Sequence, residues 1–153
     1  MFALSNKKVF SERERGFLEG LIDGEGSLTL RKVEKWFCPE IAINNTSLAL
    51  LEKAKNIINE DVNIVMAKGR LFTQGERQQI YVLGVRAVNQ IINLLTQITL
   101  TAKNEQQKLL LNACYLIKNK PEDYDEQMKE IRRKIMKLNS GARKHKRSST
   151  SIF

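Results

Sequence analysis

The residues of this chain best suited to chemistry lie in one short segment, Leu18-Glu19-Gly20-Leu21-Ile22-Asp23-Gly24-Glu25-Gly26. Its acids, Asp23 and Glu25, fall at the end of a predicted helix, where unpaired carbonyl groups already carry partial negative charge. A divalent cation would offset this repulsion, because hard ions such as Mg²⁺ take carboxylate and carbonyl oxygens together. From local physics alone, a pair of solvated loop acids, with Gly24 and Gly26 ending the helix, is the more ordinary interpretation.

Three glycines recur at every fourth position along the same predicted helix, namely Gly16, Gly20 and Gly24. Glycine inside a helix costs about 1 kcal/mol relative to alanine, so an aligned set requires a compensating interaction. Absence of side chains lets another backbone approach closely. We therefore expect a second segment to pack tightly against this line.

The segment belongs to the first of several predicted elements, and the capping box Ser11-Glu12-Arg13-Glu14 marks the start of its helix. Hydrophobic periodicity predicts, in order, a helix over 12–23, strands over 27–32 and 39–44, a helix over 47–59, a hairpin with arms 62–67 and 78–85, and helices over 86–98, 104–117 and 122–138. This order is typical of an α+β domain with an antiparallel four-stranded sheet. We expect one domain over residues 1–138 and a basic, flexible tail over residues 139–153, which lacks apolar periodicity.

Charge favours a polyanionic partner, since 26 Lys and Arg against 17 Asp and Glu give a net charge of +9. The apolar runs are too short for a membrane span, no basic amphipathic helix carries aromatic anchors, and the first ten residues do not resemble a secretory signal. Cys38 and Cys114 are far apart and His145 is the single histidine, which excludes a structural zinc site and a Cys/His nucleophile. We expect an intracellular protein that binds nucleic acid and no membrane.

The nine-residue segment closely resembles the signature of the LAGLIDADG homing endonucleases. The order of elements over residues 11–117 is similar to that family's αββαββα core, followed here by C-terminal helices, with the sheet as the DNA-binding surface. The chain length and the single motif resemble the homodimeric members. One departure is Glu19, where the family usually has a small residue; we expect this charge to lie near the helix interface and to tune dimer packing.

The resemblance also implies roles for particular residues. Glu25 matches the metal-binding acid and Gly24 would contribute its carbonyl, with Mg²⁺ as cofactor, Mn²⁺ as a substitute and Ca²⁺ supporting binding without cleavage. Lys103 matches a basic residue beside the scissile phosphate, and Asn45 a polar residue that holds active-site water. Ala49 stands where some relatives have an arginine, so that basic role is filled elsewhere or is absent.

A single motif has a consequence for assembly, because one acid per chain cannot cut two strands. The resemblance implies a twofold homodimer with the Glu25 of each subunit beside the axis. Asp23 would then support the helix end rather than bind metal. The predicted dimer interface comprises Gly16, Gly20, Leu21 and Gly24.

Two predicted hairpins would read DNA, because a strand rises about 3.3 Å per residue and base pairs are spaced about 3.4 Å. On the first hairpin we expect contacts from Ser27, Thr29, Arg31, Val33, Lys35, Glu40 and Ala42. On the second we expect Lys68, Arg70, Arg77, Gln78 and Ile80, with the register open because Gln78 and Gln79 fit either face. In the tail, phosphate contacts are expected from Arg143, Lys144, Lys146 and Arg147. Without the motif, a solvated polar sheet face is the usual interpretation.

The resemblance implies an intron-encoded endonuclease that hydrolyses double-stranded DNA at a long pseudo-palindromic target and leaves 3′ overhangs. Two alternatives from other classes stay open. One is a non-cleaving relative, either an intron maturase that binds RNA or a transcription regulator; the other is a basic ribosomal or structural RNA-binding protein. Richness in Lys, Ile and Asn indicates an AT-rich genome, as in a chloroplast, a mitochondrion or many bacteria.

Overall fold

The computed structural model describes residues 7–67 and 78–150, with residues 142–150 as backbone only. Its elements, in chain order, are α1 Glu12–Glu25, β1 Gly26–Val33, β2 Trp36–Asn45, α2 Leu48–Ile58, β3 Asn63–Ala67, β4 Ile80–Val85, α3 Val88–Leu95, α4 Asn104–Asn119 and α5 Tyr124–Thr150. The predicted order of helices and strands is confirmed. Within the described ranges, no helix is long and apolar enough to span a membrane.

Helix α1 begins where the capping box predicts. The Ser11 hydroxyl accepts a hydrogen bond from the Glu14 N–H at 3.1 Å, and the Glu14 carboxylate accepts one from the Ser11 N–H at 2.8 Å. Two of the backbone donors at the helix start are thereby satisfied. One face of the helix is buried in the core through Leu18, Leu21 and Ile22.

Helix α1 passes into β1 without a loop. Gly26 caps the helix by donating its N–H to the Ile22 carbonyl, and it is also the first residue of β1. A Cβ added at Gly26 would lie 2.8 Å from the Ile22 carbonyl oxygen, so only glycine fits here without displacement. This junction fixes where the last residue of the helix, Glu25, stands relative to the sheet.

The four strands form one antiparallel sheet in the order β1-β2-β4-β3. Alternate residues are buried against the helices, including Leu28, Leu30, Ile41, Ile43, Leu83 and Val85. The intervening residues form a second face on which side chains are exposed or half-buried. We call this second surface the open face of the sheet.

The C-terminal helices cover the buried face of the first hairpin. Helix α4 packs against β1 and α5, and α5 packs against β1. The Asn139 amide donates to the Leu28 carbonyl at 3.2 Å, so the packed part of α5 extends at least one residue past the predicted domain limit at residue 138.

Helix α5 differs from its predicted end at residue 138, because it continues to Thr150. Apolar periodicity reports packing against a core, whereas a helix already formed propagates through residues of good propensity such as Ala, Arg and Lys without a new nucleation step. The basic residues of the predicted tail are therefore on a helix as far as Thr150. The expected mobility of this segment stays a prediction.

Candidate active site and nucleic-acid interface

Glu25 and Gly24 end helix α1 at its junction with the sheet, and both are exposed. The carbonyl of Gly24 is among the last four of the helix, which lack an intrahelical donor. The structure thus presents one carboxylate and one backbone carbonyl together at the helix end.

Asp23 points in a different direction from that exposed end. Its carboxylate accepts hydrogen bonds from the backbone N–H of Thr101 at 2.8 Å and of Lys103 at 3.2 Å. Both carboxylate oxygens are thereby engaged with the segment that precedes α4. As expected, Asp23 supports the end of α1.

Lys103 is brought to the motif although it lies about eighty residues further along the chain. Its ammonium group donates to the carbonyl of Asp23, and the side chain is half-buried. A cation at a helix C-terminus offsets the partial negative charge of the carbonyls there, by about 0.3–1 kcal/mol in typical cases. The structure therefore places a cation next to the residues that end the motif helix.

Asn45 ends β2 at the same end of the sheet as Glu25, since Gly26 pairs with Ile43 two residues before it. Its side-chain oxygen accepts a hydrogen bond from the Ser47 N–H at 2.8 Å. Ser47 in turn caps α2 by accepting from the Leu50 N–H. The contacts show a turn-forming role for Asn45, and its role in holding water stays a prediction.

The segment before α4 is also held by Gln107, a buried residue that sequence reasoning missed. The Gln107 side-chain oxygen accepts from the Leu100 N–H at 2.9 Å, and its amide donates to the carbonyls of Leu95 at 3.0 Å and Ile98 at 2.8 Å. A signal was available, because Gln107 lies on the same helical stripe as the buried Leu110. A polar side chain on a buried stripe requires buried partners.

Glu19 makes a long-range contact that its sequence position did not indicate. Its carboxylate accepts a hydrogen bond from the Thr99 N–H at 2.7 Å, which places it against the segment before α4. This contact lies within the chain, and the expectation that the charge tunes dimer packing stays a prediction. Because the partner lies 80 residues away, local sequence gave no sign of it.

The first hairpin presents the predicted set on the open face. The open-face cross-strand pairs are Ser27 with Ala42, Thr29 with Glu40, Arg31 with Cys38, and Val33 with Trp36. Lys35 lies in the turn, with its ammonium 5.3 Å from the centre of the Trp36 ring. Trp36 is 57% exposed and was not among the predicted contacts, although its strand position opposite Val33 could have indicated it.

Glu40 is an acid on a basic surface, and it lies between two arginines. Its carboxylate forms ion pairs with Arg31, at 3.7 Å, and with Arg86. Sequence reasoning missed Arg86, which directly follows β4. It lies an even number of residues from Ile80 and so is expected on the same face. A carboxylate shared by two guanidinium groups orients both of them while leaving further N–H donors on each.

The second hairpin has an apolar open face in its described part. Ala42 pairs with Gly84, so Ile80 shares its face, and Val65, which is 55% exposed, pairs with Val82. The Gln79 amide donates to the backbone carbonyls of Ala67 and Ile80.

The pairing fixes the face of Ile80, whereas Gln78 precedes the first residue of β4 and its contact with DNA stays a prediction. Lys68, Arg70 and Arg77 lie outside the described residues. So do the side chains of Arg143, Lys144, Lys146 and Arg147.

The glycine line on α1 has no explanation within the described chain. Gly16, Gly20 and Gly24 are exposed, and apart from neighbouring residues and the helix backbone, no described atom lies within 4 Å of a Cβ added at any of them. Leu21 differs, since it is 8% exposed and packs into the chain's own core. We therefore remove the Leu21 side chain from the predicted interface surface and retain the glycines.

The residues described contain no cluster of three or more His, Cys, Asp or Glu side chains that could hold an ion. Burial raises the pKa of the Cys114 thiol to about 12, because the thiolate would lose its hydration in the core.

The fold is that of the LAGLIDADG meganucleases, as the motif predicted. The crystal structure of LAGLIDADG meganuclease I-AabMI bound to uncleaved DNA superposes with a TM-score of 0.61, covering 76% of this chain at 19% identity. The alignment takes in 42% of the I-AabMI chain, so this protein corresponds to less than half of its length. At that identity the likeness establishes the fold alone. No protein-family model and no curated protein matches the chain.

The buried contacts of Gln107 predict how much stability the protein loses when the side-chain amide is removed. Gln107→Met removes the amide while keeping a long side chain, and leaves buried backbone groups without partners, so the free energy of unfolding should fall by about 2 kcal/mol or more. Chemical denaturation measures this loss. The matched control is Asn112→Met on the exposed side of α4, and equal stability of the two variants would contradict the assignment.

Proposed function

We propose that this protein is a site-specific, homodimeric DNA endonuclease of the homing type, with a divalent metal as cofactor. The observation that carries the proposal is the contact of the Lys103 ammonium with the carbonyl of Asp23. This contact holds the Lys103 ammonium at the end of α1, where Glu25 is exposed next to the open face of the sheet. The meganuclease fold supports the same conclusion, since I-AabMI was crystallised on uncleaved DNA.

The open face of the sheet is the DNA-binding surface in this proposal. Arg31 and Arg86, oriented by Glu40, suit guanine, because a guanidinium group can bond the O6 and N7 atoms of that base. Ser27 and Thr29 add hydroxyl groups. The net charge of +9 supplies attraction to phosphates and predicts strong salt dependence.

The apolar part of the second hairpin adds a different kind of contact. Val65, Val82 and Ile80 present methyl groups on the open face, and apolar side chains recognise the methyl group of thymine in the major groove. The two hairpins therefore divide the readout between polar and apolar contacts.

The residues at the helix end fit a magnesium ion that is shared with substrate. Glu25 offers a carboxylate and Gly24 a carbonyl, and Mg²⁺ is usually held by one or two carboxylates together with substrate phosphates. Mn²⁺ would substitute, and Ca²⁺ would support binding without cleavage. When bound, the ion supplies charge stabilisation and a more acidic water. Asp23 is engaged with backbone N–H groups and is not assigned to it.

The chain's own residues perform the remaining tasks. A water oxygen attacks phosphorus, and the bond to the 3′ oxygen breaks, which leaves a 3′ hydroxyl and a 5′ phosphate. Lys103, whose ammonium contacts the carbonyl of Asp23 at the helix end, would neutralise charge that develops on the phosphate oxygens. Asn45 would hold a water, and cuts staggered across the two strands would leave 3′ overhangs.

Cleavage selection from a randomised duplex library tests this function, with wild type beside Glu25→Gln in Mg²⁺ and in Ca²⁺. We expect wild type with Mg²⁺ to yield a long pseudo-palindromic site cut on both strands, because each subunit contributes one acid. Glu25→Gln should bind the site without cutting it. Binding without cleavage by wild type would contradict the endonuclease and point to a non-cleaving relative, whose binding to structured intron RNA would be measured next.

A second copy of the chain is the proposed partner of the glycine line. One acid per chain requires two chains for two strands, and Gly16, Gly20 and Gly24 form an exposed strip that a second helix backbone could approach closely. The strip ends at the proposed metal residues. Dimer formation would therefore bring two Glu25 carboxylates close together, where cations would relieve their repulsion.

Gly20→Ala tests whether the glycine line forms a dimer interface or has no partner. Within one chain the substitution should stabilise α1 by up to about 1 kcal/mol, since space is open there. In the dimer the added methyl group would obstruct the helix contact and raise the dissociation constant by about tenfold or more, a cost of about 1.4 kcal/mol. Sedimentation equilibrium measures it.

Gly141→Ala is the control, because Gly141 is an exposed glycine of α5 with equally open surroundings. An unchanged dimer with Gly20→Ala would contradict the interface.

A further inference from the structure

Two acids of the motif helix hold the segment that carries Lys103. Glu19 accepts from the Thr99 N–H at 2.7 Å, and Asp23 accepts from the N–H groups of Thr101 and Lys103 at 2.8 and 3.2 Å. Residues four apart lie on the same face of a helix. One face of α1 therefore accepts hydrogen bonds from every second residue of the segment, Thr99, Thr101 and Lys103. We call Glu19 and Asp23 the acid clamp.

One acid of the clamp stands where negative charge is disfavoured. Asp23 lies in the last turn of α1, where the helix dipole opposes a carboxylate, whereas Glu19 lies before that turn. Charge-assisted hydrogen bonds to backbone N–H groups are about twice as strong as neutral ones, which compensates for the placement of Asp23. From the other side, Gln107 holds Leu100, so the segment is fixed by α1 and α4 together.

We propose that Glu19 and Asp23 are positioning residues that fix the Lys103 ammonium beside Glu25. The proposal rests on the proposed function, since it concerns how accurately Lys103 meets the scissile phosphate. Asp23 holds Lys103 at two points, by accepting its backbone N–H with the carboxylate and its ammonium with the main-chain carbonyl. Glu19 anchors the segment four residues earlier, which limits pivoting about Asp23.

A positioning role differs from a stabilising role in what happens when Lys103 is absent. If the clamp acts by placing the ammonium, its loss should not slow an enzyme that has no ammonium to place. If it only stabilises the fold, its loss should have the same effect with or without Lys103. A double-mutant cycle separates these cases.

The experiment compares single-turnover cleavage rates at saturating DNA for Glu19→Ala and Asp23→Asn, each with and without Lys103→Ala. We expect Asp23→Asn to cut about tenfold slower and Glu19→Ala about threefold slower, with DNA affinity in Ca²⁺ unchanged. Both losses should disappear in the Lys103→Ala background. Glu12→Ala removes an acid of the same helix that is outside the clamp, and it should cut at the wild-type rate.

The outcomes distinguish this inference from the proposed function. Equal losses in both backgrounds, or wild-type rates for both clamp variants, would overturn the inference while leaving the endonuclease intact. A wild-type protein that binds DNA but does not cut it would overturn the proposed function, and the inference with it. If Asp23→Asn fails to fold, Glu19→Ala carries the test, because a small residue is usual at that place in the family it resembles.

Discussion

The passage from α1 directly into β1 is the constraint on which the rest of the site depends. Gly26 is at once the cap of the helix and the first residue of the strand, and the 2.8 Å approach of its added Cβ to the Ile22 carbonyl leaves no room for a side chain. With no loop between them, the end of the helix cannot move independently of the sheet. Glu25 is therefore fixed at the edge of the surface proposed to bind DNA.

The same junction explains why two neighbouring acids have different environments. Asp23 accepts hydrogen bonds from the segment before α4, whereas Glu25 is exposed at the end of the helix. Lys103 reduces the negative charge at that end through the Asp23 carbonyl. One acid thus holds the segment before α4, and the other is exposed at the end of the helix, where we propose that it binds the metal.

Local patterns predicted the parts of the structure that local forces determine. The capping box located the start of α1 because both hydrogen bonds join residues three apart. Alternation placed Ser27 and Arg31 on the open face because Leu28 and Leu30 must be buried. The motif predicted the fold, which the superposition with I-AabMI confirms.

Other parts depend on contacts between distant residues and could not be predicted in this way. Glu19 and Thr99 are 80 residues apart, and the open face of the second hairpin was settled only by the pairing of Ala42 with Gly84. The end of α5 was missed because the residues after 138 lack apolar periodicity, although the helix continues to Thr150. Periodicity detects the buried face of a helix and not its length beyond the core.

Mixed dimers test the central claim, that each subunit supplies one acid and cuts one strand. Wild-type and Glu25→Gln chains would be mixed in equal amounts and assayed on a supercoiled plasmid with one target site. Random pairing makes roughly half of the dimers mixed. Nicked circles should accumulate from these dimers, beside linear DNA from wild-type pairs. Linear DNA in proportion to wild-type chains, without nicked circles, would contradict the account.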